Sequence, residues 1–156
     1  MEGPGKQIRQ AEVEDAPGIA RLLHDFNSEY EEPTPGVEEL TRLLLPLLAE
    51  EEISVLLAGE EPEGLALLRF RPAIWSSGLE AHLQELYVVP AHRGRGIGRA
   101  LLEAAIEFAR AHGAVGIDLN TGETDTAARS LYESMGFSNR EGGPEGPAML
   151  FYAREI

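Results

Sequence analysis

The segment of this chain richest in chemistry is Arg93-Gly94-Arg95-Gly96-Ile97-Gly98-Arg99, which follows Leu86-Tyr87-Val88-Val89-Pro90 directly. An apolar strand ends there, a glycine-rich turn follows, and a helix begins at once. Such a junction aims unpaired backbone N–H groups and the positive end of a helix dipole at one point, which favours an anion. Gly94, Gly96 and Gly98 let the main chain approach a ligand closely, and Arg93, Arg95 and Arg99 add formal charge. A phosphate or pyrophosphate is the natural occupant. Two familiar phosphate loops do not fit. A P-loop needs a Lys after its last glycine, and no Lys stands here. A dinucleotide fingerprint needs Gly-x-Gly-x-x-Gly, but counting from Gly94 or Gly96 places Arg99 or Leu101 at the third glycine.

The elements that must position this loop follow from periodicity. Ile8–Ala11 reads as a strand, and Asp15 and Pro17 open a helix with Ile19, Leu22, Leu23 and Phe26 on one stripe. Asn27–Gly36 reads as a loop. Val37–Glu51 reads as a helix with Leu40, Leu43, Leu44, Leu47 and Leu48 on one face, which Pro46 should kink or shorten. Ile53–Ala58 and Leu65–Arg71 form a hairpin across an acidic turn, and Ala81–Val89 is a strand after a loop holding Trp75. Ile97–His112 is the strongest helix and stops at Gly113. Val115–Asn120 is a short strand, Asp125–Met135 a helix stopped by Gly136, and Phe137–Arg140 and Ala148–Arg154 two closing strands. The strand–helix–strand run from Ala81 to Asn120 implies a parallel pair within a mixed sheet.

Charge narrows the partners. The 156 residues carry a formal charge of −14, with 27 acidic and 13 basic side chains, of which Lys6 is the single lysine. Residues 1–60 hold 14 acids and 4 bases, net −10, whereas residues 91–113 are net +2. A broad phosphate-reading surface for nucleic acid, or docking on an anionic membrane, is disfavoured. The pattern suits a small anionic ligand at the arginine stretch and a cationic partner elsewhere. With no cysteine, disulfides, thiol nucleophiles and thiolate metal sites are excluded. No apolar run resembles a secretory signal or a membrane span, so the cytoplasm is expected. His24, His92 and His112 have no ligand spacing and read as surface residues, and no metal is expected.

Arg93-Gly94-Arg95-Gly96-Ile97-Gly98 resembles the Arg/Gln-x-x-Gly-x-Gly/Ala signature of the GNAT (general N-acetyltransferase) superfamily. Asp125-Thr126-Ala127-Ala128-Arg129-Ser130-Leu131-Tyr132 through Gly136-Phe137 looks like its second signature, with Asp125 where Asn is usual. Ile8 to Ala16 is similar to the usual entry. The resemblance implies one domain over 1–156, an α/β fold with a mixed, mostly antiparallel sheet, a central splayed parallel pair and about four helices. It implies acetyl-CoA as co-substrate, its pyrophosphate on the amides of Gly94, Arg95, Gly96, Ile97, Gly98 and Arg99. Leu86, Tyr87 and Val88 would line the pantetheine arm, with Arg93, Asn120, Asp125, Ala128 and Tyr132 completing the cofactor side.

The reaction implied is direct transfer of acetyl to a primary amine, the leading acceptor being a small cationic amine. A protein or peptide N-acetyltransferase and a non-catalytic acetyl-CoA sensor are the rival readings. Tyr132 matches the family's general acid. Glu85 and His82 are the candidate bases, with ordered water the third option. Three residues apart on a strand, they should face opposite sides of the sheet unless a bulge changes the parity. Asn27, Tyr30, Glu31 and Trp75 are the candidate acceptor contacts, and a homodimer is the assembly the resemblance suggests.

Overall fold

The computed structural model describes residues 7–156, so Lys6 lies outside the described residues. Five strands run β1 (Ile8–Gln10), β2 (Ser54–Ala58), β3 (Gly64–Pro72), β4 (Leu79–Val88) and β5 (Ala114–Leu119), side by side in chain order. Four helices are α1 (Ala16–Glu29), α2 (Val37–Ala49), α3 (Ile97–Ala111) and α4 (Thr126–Ser134). β1 to β4 pair antiparallel, and β4 and β5 are parallel, as the 3.6-period helix α3 between them requires. The chain divides into two compact units, the first ending at Ile117 and the second running Asp118–Ile156.

In the first unit the strands alternate. Val55, Leu57, Leu65, Leu67 and Tyr87 face a layer of Ala16, Ile19, Ala20, Leu22 and Leu44 from α1 and α2. On α3, Leu101, Leu102, Ala105 and Ala109 are buried, and Phe108 meets Phe70 of β3 at 6.1 Å. The inner face of α2 consists of Val37, Leu40, Leu44, Leu47 and Leu48, whereas Leu43, expected there, is 53% exposed. Leu43 lies 100° of helix away from Leu44, and the sheet admits only one stripe. The helix runs through Pro46 and ends at Ala49, one turn later.

Asp15 differs from its expected capping role. A 3₁₀ turn over Val13–Asp15 precedes α1, and the Asp15 side chain makes no cap bond to α1. Its two oxygens instead accept from both terminal nitrogens of Arg9 at 2.9 Å, and Oδ2 also accepts the Glu12 N–H at 2.8 Å. Arg9 holds the Asp15 carboxyl below the usual carboxylate range, chiefly through those hydrogen bonds.

In the second unit α4 is capped as expected, Asp125 Oδ1 accepting from the Ala128 N–H at 3.2 Å. The two closing strands do not form. Only the bridge Arg140–Ala148 and its neighbouring bonds link them, Glu141 N–H to Pro147 O at 2.9 Å and Met149 N–H to Asn139 O at 2.7 Å. Pro144 and Pro147 remove two donors from the connecting segment, which turns back at once through left-handed Gly142 and Gly143.

Candidate active site

β4 carries the candidate bases, and its pairing with β3 decides where they point. Leu68 lies opposite Leu83 and Leu67 opposite Glu85, so Gln84 is an extra residue in a β-bulge. Paired residues share a face, and Arg69, two residues from Leu67, lies opposite His82. Glu85 and His82 therefore stand on the same face, contrary to the simple alternation of a regular strand. Both are half-buried. Burial pushes the Glu85 carboxyl above its ordinary range, and the His82 charge pulls weakly the other way. A carboxylate held in this way is a better proton acceptor than an exposed one.

Along the same face the strand chemistry changes halfway. Leu65, Leu67 and Tyr87 pack against α1 and α2, whereas farther along the same face the strands carry Arg69, Arg71, Glu80 and His82, with Glu85 at the change. Arg71 Nε donates to Glu80 Oε2 at 2.6 Å, and Arg69 Nε to Gln84 Oε1.

The chain then enters the glycine loop. Gly94 and Gly96 have φ of +79° and +80°, a left-handed conformation that favours glycine, and a Cβ at either would meet nothing within 4 Å. Gly96 is the N-cap of α3, which has neither a side-chain cap bond nor an acidic residue in its first turn. The first amides of α3 are thus left to an outside acceptor, and the open cradle fits a pyrophosphate. Arg95 lies 3.3 Å from His92 Nδ1, and Arg99 lies 3.7 Å from Glu103 on the next turn of α3.

Arg93 is turned elsewhere. Its terminal nitrogen donates to Glu29 Oε1 at 2.7 Å, its Nε donates to Val88 O at 3.0 Å, and its guanidinium lies 5.6 Å from the centre of the Tyr87 ring. Tyr87 also donates its hydroxyl to Glu29 at 3.2 Å and stacks on Phe26 at 4.7 Å. Burial first, then Glu29, pushes the Tyr87 phenol up to about 12. Arg93 foremost lowers the Glu29 carboxyl, and Glu29 raises Arg93 in return. The sequence shows Phe26 on an apolar stripe and Glu29 in an acidic run, but not their pairing with Tyr87 and Arg93, which lie about sixty residues away.

The candidate acceptor residues are scattered. α1 continues through Asn27 to Glu29, so the connection to α2 is shorter than the expected Asn27–Gly36 loop. Asn27 Nδ2 donates to Pro33 O at 3.2 Å, Tyr30 packs edge-on against Phe26, and Glu31 is exposed in a left-handed conformation. Trp75 is 94% exposed, which removes it from the core. His24, His92 and His112 lie at or near the surface. In the second unit Asn120 follows β5, Ala128 and Tyr132 lie on α4, and Tyr132 meets Phe137 edge-on at 6.0 Å. Among the described residues no group of three or more acidic or histidine side chains could hold a metal, and no helix is long and apolar enough to cross a membrane.

A mixed sheet whose β4 leads into a glycine loop at a helix N-terminus defines a site for an anionic ligand. Residues 18–137 match the acetyltransferase (GNAT) family. The chain therefore belongs to that family and is an N-acetyltransferase, a family that generally uses acetyl-CoA. It is 46% identical to a candidate acetyltransferase from Arthrobacter sp. FB24 known from a crystal structure, with a TM-score of 0.90 over 100% of this chain and 99% of that one. It is 32% identical to the uncharacterized N-acetyltransferase YhfO of Bacillus subtilis, over 86% of this chain and 91% of that protein. It is 27% identical to streptothricin acetyltransferase of Streptomyces lavendulae, over 87% of this chain and 65% of that enzyme.

Proposed function

We propose that this protein transfers the acetyl group of acetyl-CoA directly to the primary amine of a small molecule that arrives as a cation. What supports it most is the shared face of His82 and Glu85 on the strand that leads into the glycine loop. Acetyl-CoA, when bound, supplies an acetyl group activated as a thioester. The amides of Gly94 to Arg99 hold its pyrophosphate, and Leu86 and Val88 line its arm. Glu85 takes the proton of the ammonium, directly or through a water shared with His82, and the freed lone pair attacks the thioester carbonyl. The carbon–sulfur bond breaks as the amide forms, Tyr132 gives its proton to the departing thiolate, and the second proton leaving the nitrogen restores the Tyr132 phenol. Asp125 and Ala128 set the first turn of the helix that carries Tyr132. The acidic body, net −10 over residues 1–60, favours a positively charged acceptor.

Both signatures are needed for this reading, the first lying before Ile117 and the second after it, so the working chain is residues 1–156. The same reading makes it a cytoplasmic homodimer. The test joins two measurements. Acetyl-CoA should raise the melting temperature by mass action. A panel of primary amines should then release CoA thiol from acetyl-CoA, faster than with no amine. A thermal shift without amine-stimulated release would point to a sensor, and no shift at millimolar acetyl-CoA would refute the reading.

A further inference from the structure

Arg69 stands on the β3 face that carries His82 and Glu85, and no acid among the described residues pairs with it. It lies opposite His82 and two residues from Leu67, the partner of Glu85. Ordinary strand spacings put its Cα roughly 8 Å from that of Glu85, on the same face. The neighbouring Arg71 is bound to Glu80. Arg69 instead gives only its Nε to a neutral group, Gln84 Oε1. Gln84 is the bulge residue, so the irregularity that turns Glu85 to this face also fixes the root of the Arg69 fork. Arg69 is exposed, and among the described residues its two terminal nitrogens have no hydrogen-bond partner. A guanidinium held by its inner nitrogen presents two parallel donors to a carboxylate.

We propose that Arg69 binds a carboxylate on the acceptor, so that the amine acetylated here belongs to an amino acid or an amino-acid-like zwitterion. Its ammonium lies at Glu85 and His82 and its carboxylate on the Arg69 fork, a span that an α- to γ-amino acid covers. The inference rests on the acyl-transfer reading and narrows it: the acceptor keeps its cationic end and gains an anionic one.

The experiment compares matched pairs with the full chain and acetyl-CoA: the common amino acids, their methyl esters, and their decarboxylated amines. The best amino acid should exceed its decarboxylated partner in kcat/KM by about tenfold to a hundredfold, the range of a charge-assisted pair. Arg69→Gln should bring the two to within about threefold by raising the KM of the amino acid, leaving the KM of acetyl-CoA unchanged. Arg69→Lys should restore part of the preference. If esters and decarboxylated amines are acetylated as well as the acids, or Arg69→Gln leaves the preference intact, the inference is overturned while acyl transfer stands. If acetyl-CoA binds by thermal shift but no amino acid is acetylated, the inference is also overturned. Absence of acetyl-CoA binding overturns both.

Discussion

Replacing Arg93 with alanine should cost stability more than cofactor affinity, although Arg93 opens the glycine signature. Three contacts are lost. The ion pair with Glu29 at 2.7 Å joins side chains 42% and 27% exposed, so solvent screening limits it to about 1 kcal/mol. The Nε bond to Val88 O at 3.0 Å contributes about 1 kcal/mol. The guanidinium 5.6 Å from the Tyr87 ring centre adds about 0.5 kcal/mol. Their sum, discounted for non-additivity, is about 2 kcal/mol, or roughly 4–8 °C in melting temperature for a chain of this size. Urea unfolding of Arg93→Ala, Glu29→Gln and the double variant should give a coupling of about 1 kcal/mol. Acetyl-CoA affinity should change less than about threefold, because the loop amides and the Arg95 and Arg99 charges remain. An unchanged melting temperature with a tenfold or greater loss of affinity would refute the reasoning. The guanidinium would then spend its time on the anion and not on Glu29.

Glu85→Gln should lower kcat/KM by about 10²- to 10⁴-fold. In the wild type, kcat/KM should fall as pH drops through a value above the ordinary carboxylate range of about 4.3, since burial raises the Glu85 pKa and only the deprotonated form accepts a proton. The Gln variant should lose that acid limb, and a limb that persists unchanged would assign it to another group. Tyr132→Phe should cut turnover at least tenfold while acetyl-CoA still raises the melting temperature as before, and equal turnover would remove Tyr132 as the acid. Asp15→Asn should destabilise by about 1–2 kcal/mol at pH 7, given two 2.9 Å bonds to Arg9 between side chains only 27% and 20% exposed. Asp15 has a lowered folded pKa, so its contribution is complete above the unfolded value of about 3.9 and lost as pH falls through the folded one. The gap between wild type and variant in urea unfolding should therefore narrow below about pH 4.

Local signals were enough for most elements. The helix with Ile97, Leu101, Ala104, Ala105 and Phe108 at helical spacing and its Gly113 stop lie where periodicity and capping place them, because both depend on residues within a turn or two. The same holds for Asp125 as the cap of α4. Even Arg69 leaves a trace: β3 changes from Leu65 and Leu67 to Arg69 and Arg71 on one face, which marks where the helix cover ends. The closing strands were over-read, because apolar content around Ala148–Tyr152 suggests a strand but a strand also needs a partner.

The sequence by itself determined the anion loop, since three alternate glycines after an apolar strand permit little else than a tight turn into a helix N-terminus. It also determined the order of the helices and placed the five strands of the sheet, together with two closing strands that do not form. Only the tertiary structure decided which side chains share that site. A bulge is a property of two paired strands, so the face of Glu85 depends on the register of Leu67 and Leu68 on β3. Charge can be counted along a chain, but the partner of Arg93 is Glu29, 64 residues away, and chain separation hides that choice until the sheet and α1 meet.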